Sequence, residues 1–295
     1  MMVSIIIPFF KGNNYIKKIF RMVEENSQLL RSEDRALELI IVNDSPDEHV
    51  EIPDGKWCFP YYIHNQKRNQ GIHQARVSGL NIAKGDYILF LDQDDEICSD
   101  FCAEMLGNIG DNDVIVSNPL LEEKNGECHV LYKNRLQFKK AITLKCFLKS
   151  HNQIVSPGQC LIKKNSIPKE WREFIVTING SDDLLLWILM LSKGAHFKTY
   201  NRKLYKHSYT GENLSASEEK MTESSLSMVD ILTKIDYVKK TDIDSFIRYR
   251  QLKSSLKKCN SFRKVSVIVK NVDIIVFCLG WKIVGMICGK GYDNE

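Results

Sequence analysis

Short β-branched runs alternate with segments of helical period along the first hundred residues. Val3-Ser4-Ile5-Ile6-Ile7 is a compact apolar run closed by Pro8 and reads as a buried parallel strand. Asn13 or Asn14 is placed to cap a following helix, whose apolar positions Tyr15, Ile19, Met22 and Leu29 roughly keep helical spacing. A second strand, Leu37 to Val42, runs into the polar turn Asn43-Asp44-Ser45-Pro46, and a third is expected at Tyr61-Tyr62-Ile63. Asn69-Gln70-Gly71 then opens a helix expected to end near Lys84-Gly85, with Gly85 as its C-cap. The run Tyr87 to Leu91 follows at once, and a further strand is read at Asp113-Val114-Ile115-Val116. Strand, helix, strand, strand, helix, strand is the order of a parallel α/β sheet.

The chemistry concentrates where the fourth strand ends. Asp92-Gln93-Asp94-Asp95 follows Leu91 directly, and a buried strand cannot keep three carboxylates, whereas the loop beyond its carboxyl end can. Hard oxygen ligands there suit a divalent cation, which in turn suits a diphosphate. Ligands of open α/β sheets bind at that edge. A solvated acidic turn is the plain alternative for such a tetrapeptide. An EF-hand loop starting at Asp92 fails, because its sixth position is Ile97 rather than Gly and its twelfth is Ala103 rather than Glu. A haloacid-dehalogenase-type phosphatase would carry its acidic pair after the first strand.

The company of this motif resembles a known family. Ser4-Ile5-Ile6-Ile7-Pro8, Val42-Asn43-Asp44-Ser45, Asn69-Gln70-Gly71 with Ala75-Arg76, Ala83 to Tyr87, and Leu91 to Asp95 come in the order found in family 2 glycosyltransferases. Ser156 to Ile162, and Asp182-Asp183 ahead of Leu186-Trp187, continue the likeness. The resemblance implies a GT-A fold, a Rossmann-like, mixed but mostly parallel sheet flanked by helices. It also implies inverting transfer from a nucleotide-diphosphate sugar, a UDP-sugar before others, to a hydroxyl of a glycan or lipid-linked acceptor. Bacterial surface-polysaccharide synthesis is the expected setting. By the same resemblance Asp183 is the catalytic base, with Asp182 standing where the family usually has Glu. Pro8, Asp44, Asn69, Gly71, Arg76 and Asp92 fall on the donor side. Asp94, Asp95 and His207, the last within Tyr205-Lys206-His207 ahead of Asn213-Leu214-Ser215, fall to Mn²⁺ or Mg²⁺. Two other classes stay open: a nucleotidyltransferase on a related fold, which would want a Gly-rich, Arg-containing loop after Ile7, and a catalytically silent sugar-nucleotide or glycan-binding module.

Three segments are expected: a nucleotide-sugar half over 1–118, an acceptor half with the base over 119–215, and a helical extension over 216–295. In the second, the turn Glu123-Lys124-Asn125-Gly126 joins two extended pieces. In the third, 215–220 is polar, and Leu226, Val229, Leu232 and Ile235 form an apolar stripe flanked by Met228 and Ile231. Between Ser245 and Val272 stand Arg248, Arg250, Lys253, Lys257, Lys258, Arg263, Lys264 and Lys270 with no acid among them. The apolar run Val272 to Gly289 comes next, interrupted by Asp273 and Lys282, too short and too charged for a span. Basic residues beside an amphipathic segment point to a helix lying on an anionic membrane surface through 245–289, with burial of Ile274, Ile275, Phe277 and Leu279. A packed terminal helix or a homodimer interface is the alternative.

Composition changes this picture little. A chain of 295 residues, 43% hydrophobic and 26% charged, is long enough to bury a large core. A net charge of +4 without interleaved aromatics argues against a nucleic-acid partner. Nine scattered cysteines, Cys98 and Cys102 at helical spacing among them, without zinc spacing or a leader at Met1, fit reduced thiols in a cytoplasmic protein, peripheral to the membrane at most.

Overall fold

A computed structural model describes residues 1–31, 33–211, 218–258 and 261–288. Seven strands form the central sheet in the order β10-β6-β9-β4-β1-β2-β3. They are β1 (Met2–Phe9), β2 (Ala36–Asn43), β3 (Tyr61–Asn65), β4 (Tyr87–Phe90), β6 (Val114–Ser117), β9 (Cys160–Lys163) and β10 (Phe197–Tyr200). All neighbours pair in parallel except β9, which runs antiparallel between β4 and β6. A smaller sheet, β5-β11-β7-β8, joins β5 (Glu96–Ile97), β11 (Tyr205–His207), β7 (Leu120–Glu122) and β8 (Cys128–Val130). β7 and β8 are the two extended pieces around the Glu123–Gly126 turn, and they pair antiparallel.

The period-2 alternation of the strands sorts the core into two layers. Ile6, Ile40, Val42, Ile88, Phe90, Val114, Val116 and Ile162 face one side and Val3, Ile5, Ile7, Leu39, Ile41, Leu89, Ile115 and Leu161 the other. The second side is covered by α1 (Ile16–Arg31) and α3 (Phe101–Ile109). The first takes α2 (Ile72–Ile82), α4 (Arg135–Ala141), α5 (Leu144–Lys149), α6 (Lys169–Glu173), α7 (Asp182–Ser192), α9 (Val229–Leu232) and part of α10 (Lys240–Lys258). Between α7 and α9 lies α8 (Glu218–Ser227); after α10 come α11 (Ser261–Lys270) and α12 (Val272–Cys288).

Several local expectations shift. Pro8 lies inside β1 rather than ending it. The Ile6 carbonyl faces Leu91 N–H, so the amide position of Pro8 points the same way, past the end of β4 at Phe90, where a missing N–H costs nothing. The α1 stripe is Ile16, Ile19, Phe20, Val23 and Leu30; Leu29 is exposed and Tyr15 precedes the helix. Asn13 does not cap α1, because its side chain bonds the His49 carbonyl and the Glu51 N–H. Nor does Gly85 cap α2, which ends at Ala83. A Cβ on Gly85 would stand 2.6 Å from the Ser4 nitrogen, so close approach to β1 is what this glycine serves. Cys98 precedes α3 and is exposed while Cys102 is buried, so the two do not share a helix face. The apolar stripe after Leu226 is split between α8, α9 and the turn beyond, with Met228 and Leu232 its most buried members. Residues 215–217 of the polar stretch ahead of it lie outside the described residues.

The carboxyl-terminal helices are pinned to the body. Arg248 and Lys149 both bind Asp273, at 2.8 and 2.6 Å. Arg250 donates to the Leu148 and Phe147 carbonyls, with its guanidinium 3.9 Å from the Phe246 ring centroid. These two cations therefore serve packing rather than a membrane face. Ile274 is fully buried and Trp281 packs on the core, so the expected lipid-facing set is corrected at Ile274. The side chains of Lys253, Lys257 and Lys258, and Gly289, lie outside the described residues. Among the described residues no helix is long and apolar enough to cross a membrane.

Packing at α2 sets a test. A Cβ on Gly79 would stand 2.3 Å from Ile6 Cγ2 and 3.1 Å from Val42 Cγ2, whereas Gly107 in α3 has nothing within 4 Å. Alanine gains roughly 1 kcal/mol over glycine in an open helix, and overpacking costs roughly 1–3 kcal/mol. Gly107→Ala should therefore raise the urea midpoint and Gly79→Ala should lower it, by about 1 kcal/mol or more in equilibrium unfolding.

Candidate functional site

The carboxyl ends of β1, β2, β3, β4, β6 and β10 lie on one edge of the sheet, and antiparallel β9 begins there. The loops at 10–13, 44–49, 66–71, 91–95 and 156–159 consequently meet along that edge, and side-chain bonds tie them together. Gln93 bonds both the Phe10 N–H and the Phe10 carbonyl, and Ser45 Oγ accepts from Lys11 N–H. Asp44 accepts the N–H groups of Gln70 and Gly71, at 2.7 and 2.9 Å, and so fixes the turn that opens α2. Gly71 takes φ +84°, a backbone state that favours glycine. Asn69, one residue before this turn pair, is exposed.

Arg76 is the hub. One amino group donates to Asp92 at 2.5 Å and the other to Asp182 at 2.6 Å, with only 3% of its side chain exposed. The flanking carboxylates hold the guanidinium charged in spite of burial, while its Nε finds no partner among the described residues. The clamp thus joins the end of β4 to the first turn of α7, whose Asp182 stands 106 residues after Arg76. Ser156 Oγ donates to the other Asp92 oxygen at 3.0 Å. Trp171 adds a tie to the Asp182 carbonyl, and His73, in the first turn of α2, bonds the Trp171 carbonyl through Nε2 and accepts Val176 N–H at Nδ1. Burial lowers the His73 pKa, which keeps that imidazole a neutral structural link.

The three carboxylates of the acidic loop part company. Asp92 is paired as above. Asp95 is fully buried and accepts from Tyr205 Oη, from Ser208 N–H at 3.0 Å and from His207 Nδ1 at 3.1 Å. It therefore anchors β11 and orients the His207 ring, leaving Nε2 as the nitrogen turned away from that bond. The pKa of His207 is raised against its burial by the Asp95 bond and by the charges of Asp95, Asp92 and Asp94. Asp94 is half-buried, and its pKa is pushed up to about 6 by burial and by the charges of Asp95 and Asp92. Excess negative charge of this kind favours a bound cation.

Among the described residues no three His, Cys, Asp or Glu side chains already enclose a metal position. Mg²⁺ is usually held by one or two carboxylates completed by substrate phosphates, and Asp94 beside Asp92 fits that partial set. Asp95 does not offer a comparable carboxylate, since it is fully buried, whereas Asp92, although bonded at both oxygens too, keeps a partly exposed side chain. Residues 213–215, expected after His207, lie outside the described residues.

The acidic pair of α7 is also divided. Asp182 belongs to the Arg76 clamp. Asp183 is 7% exposed and accepts Asn152 Nδ2 at 2.7 Å and its neighbour's Leu184 N–H at 2.7 Å. Burial first, then the charge of Asp182, raise its pKa well above the carboxylate range. A helix N-terminus holds the pair in place. Asn152, on the segment after α5, was not legible as a site residue: it lies 31 positions away with no motif around it. Asn179 is a second such residue, its side chain accepting Ile72 N–H across 107 positions.

Known proteins resemble this chain in sequence and in fold. The family model "Glycosyl transferase family 2" matches residues 4–171. An uncharacterized glycosyltransferase of Haemophilus influenzae is 32% identical over 111 residues, covering 38% of this chain and 35% of its own. The minor teichoic acid biosynthesis protein GgaB of Bacillus subtilis is 32% identical over 95 residues, 31% of this chain and 10% of that protein. The chain thus spans about a third or less of the length of these curated relatives. The crystal structure of S. aureus TarS 1-349 in complex with UDP-GlcNAc shares the fold at a TM-score of 0.58 and 15% identity, over 93% of this chain and 81% of that one. With more than half of its length matched by the family model, the chain belongs to glycosyl transferase family 2 and is built on the GT-A fold.

Proposed function

We propose that this chain transfers a sugar, with inversion, from a nucleotide-diphosphate donor to a hydroxyl of a glycan or lipid-linked acceptor. A buried carboxylate with no ion-pair partner among the described residues, Asp183, carries this reading. Its neighbour Asp182 neutralises Arg76, so within the pair Asp183 is the group left basic enough to take a proton. The acceptor hydroxyl would lose its proton to Asp183 as its oxygen attacks the anomeric carbon from the face opposite the diphosphate. Asn152 holds the carboxylate in register. On the donor side, Pro8, Asp44, Asn69, Gly71 and Asp92 would line the nucleotide-sugar position, Arg76 fixing Asp92 in orientation.

Bound Mn²⁺ or Mg²⁺ would offset the negative charge that grows on the leaving diphosphate. Asp94 is its ligand in this reading, with Asp92 close by, while His207 would contribute Nε2 and Asp95 would orient that ring rather than coordinate. A UDP-sugar is the favoured donor, because the structural neighbour TarS is described with UDP-GlcNAc. Synthesis of a bacterial surface polysaccharide is favoured by the role named for GgaB. An acceptor carried on a lipid fits the apolar helices at the carboxyl end, and a protein working at the inner face of a membrane fits both.

Asp94→Ala should abolish metal-dependent release of nucleotide from UDP-sugars while leaving the thermal melt within a few degrees of the parent. Full activity of that variant, or of the parent in excess chelator, contradicts the metal assignment. Asp183→Asn keeps the shape of the side chain but cannot take a proton, so acceptor transfer should fall by roughly 10²–10⁴-fold with donor affinity nearly unchanged. If Asp182→Asn were the crippling change and Asp183→Asn mild, the base would be assigned wrongly.

The raised pKa of Asp183 sets a pH dependence. A base works in its ionised form, and here that form becomes populated only as the solution passes upward through the neutral range. At saturating donor, kcat/KM for acceptor should climb with pH across that range. A profile already flat from pH 5 would argue that an ordinary, unperturbed carboxylate is the base.

A further inference from the structure

Both α11 and α12 leave apolar residues in solvent, and those of α12 fall on one face. Val265 and Val269 of α11 are 62% and 65% exposed, and Val272, Val276, Leu279 and Ile283 of α12 are 55%, 61%, 54% and 50% exposed. The α12 members recur at intervals of four, three and four, the spacing of a single helix face. The opposite face is committed to the protein: Ile274 is buried, Trp281 packs on the core, and Lys145 lies over the Phe277 ring. The stripe is therefore held out on a fixed support rather than awaiting the fold.

Charge decides between occupants. Lys264, Lys270 and Lys282 are exposed on these two helices. The sole acid of residues 261–288 is Asp273, which is already bound by Arg248 and Lys149. A second copy laid on the stripe would bring a cationic, acid-poor face against its own likeness, which is unfavourable. A surface of anionic phospholipid headgroups over acyl chains complements both the lysines and the apolar line.

We infer that Val265, Val269, Val272, Val276, Leu279 and Ile283 form an in-plane docking surface for an anionic phospholipid bilayer, with Lys264, Lys270 and Lys282 at the headgroups. The helices lie on the membrane and do not cross it. The docked helix α12 packs against α5, and the segment leaving α5 carries Asn152, so docking holds the acceptor side of the molecule close to the lipid surface.

Flotation of the full chain with vesicles tests this. Vesicles of phosphatidylglycerol and phosphatidylcholine should carry the protein upward at low salt, and pure phosphatidylcholine should carry far less. Val276→Asp with Leu279→Asp should abolish flotation while leaving the thermal melt and the release of nucleotide from a UDP-sugar unchanged. Replacing Lys264, Lys270 and Lys282 by alanine should weaken binding to anionic vesicles by roughly a hundredfold. The inference is overturned if the parent stays in the soluble fraction at low salt. It is equally overturned if the Asp substitutions leave flotation intact, or if sedimentation shows a dimer that they dissociate. Since the variants spare Asp94, Asp183 and Arg76, a failure here leaves the catalytic reading standing, and a failure of that reading leaves flotation unaffected.

Discussion

One buried guanidinium organises the working edge of this protein. Arg76 sits between Asp92 and Asp182, and through them it links the loop after β4 to the start of α7. A charge taken out of water is tolerated only when paired and bonded, and removing one partner of such a group typically costs about 3–5 kcal/mol. The three residues therefore constrain each other's positions more tightly than packing alone would. Within the acidic pair the bonds differ, Asp182 holding Arg76 and Asp183 accepting from Asn152.

The rest of the edge is built in the same manner, from side chains that tie one loop's backbone to another. Asp44 holds the turn before α2, Gln93 grips the loop after β1, and Asp95 fastens β11 through three bonds. Polar groups placed at strand ends are thus used twice, once to close the loops and once to define what the loops surround. The result is a preorganised frame in which a few groups, Asp94 and Asp183 foremost, are left strained in charge rather than in shape.

How much of this was legible depended on the range over which a signal acts. Strand periodicity is local, and β1, β2, β4 and β6 stand where the apolar runs placed them, within a residue or two. Helix phase was less secure: α1 begins at Ile16 rather than at the Asn13 or Asn14 cap, and its stripe turns Leu30 rather than Leu29 inward. The acidic tetrapeptide was visible as a cluster, but nothing local says that Asp92 bonds Arg76 while Asp95 bonds Tyr205, since those partners are brought in by the tertiary structure. Asn152 and Asn179 carry no pattern, being brought to their partners only by tertiary structure. In the carboxyl-terminal segment, composition showed a basic and apolar character but not that Arg248, Arg250 and Ile274 turn inward.

The antiparallel strand β9 has a consequence for how the chain comes to be folded. It separates β4 from β6, so the sheet stays in two pieces until residues 160–163 have left the ribosome. Before that, β4 and β6 each present an unpaired edge of largely apolar strand, the kind of surface on which chains associate wrongly. The β4 side and the β6 side of the sheet are thus joined by β9, with β10 still to pair on β6. Neither can be exchanged as a free-standing module for the counterpart of a relative without carrying β9 along.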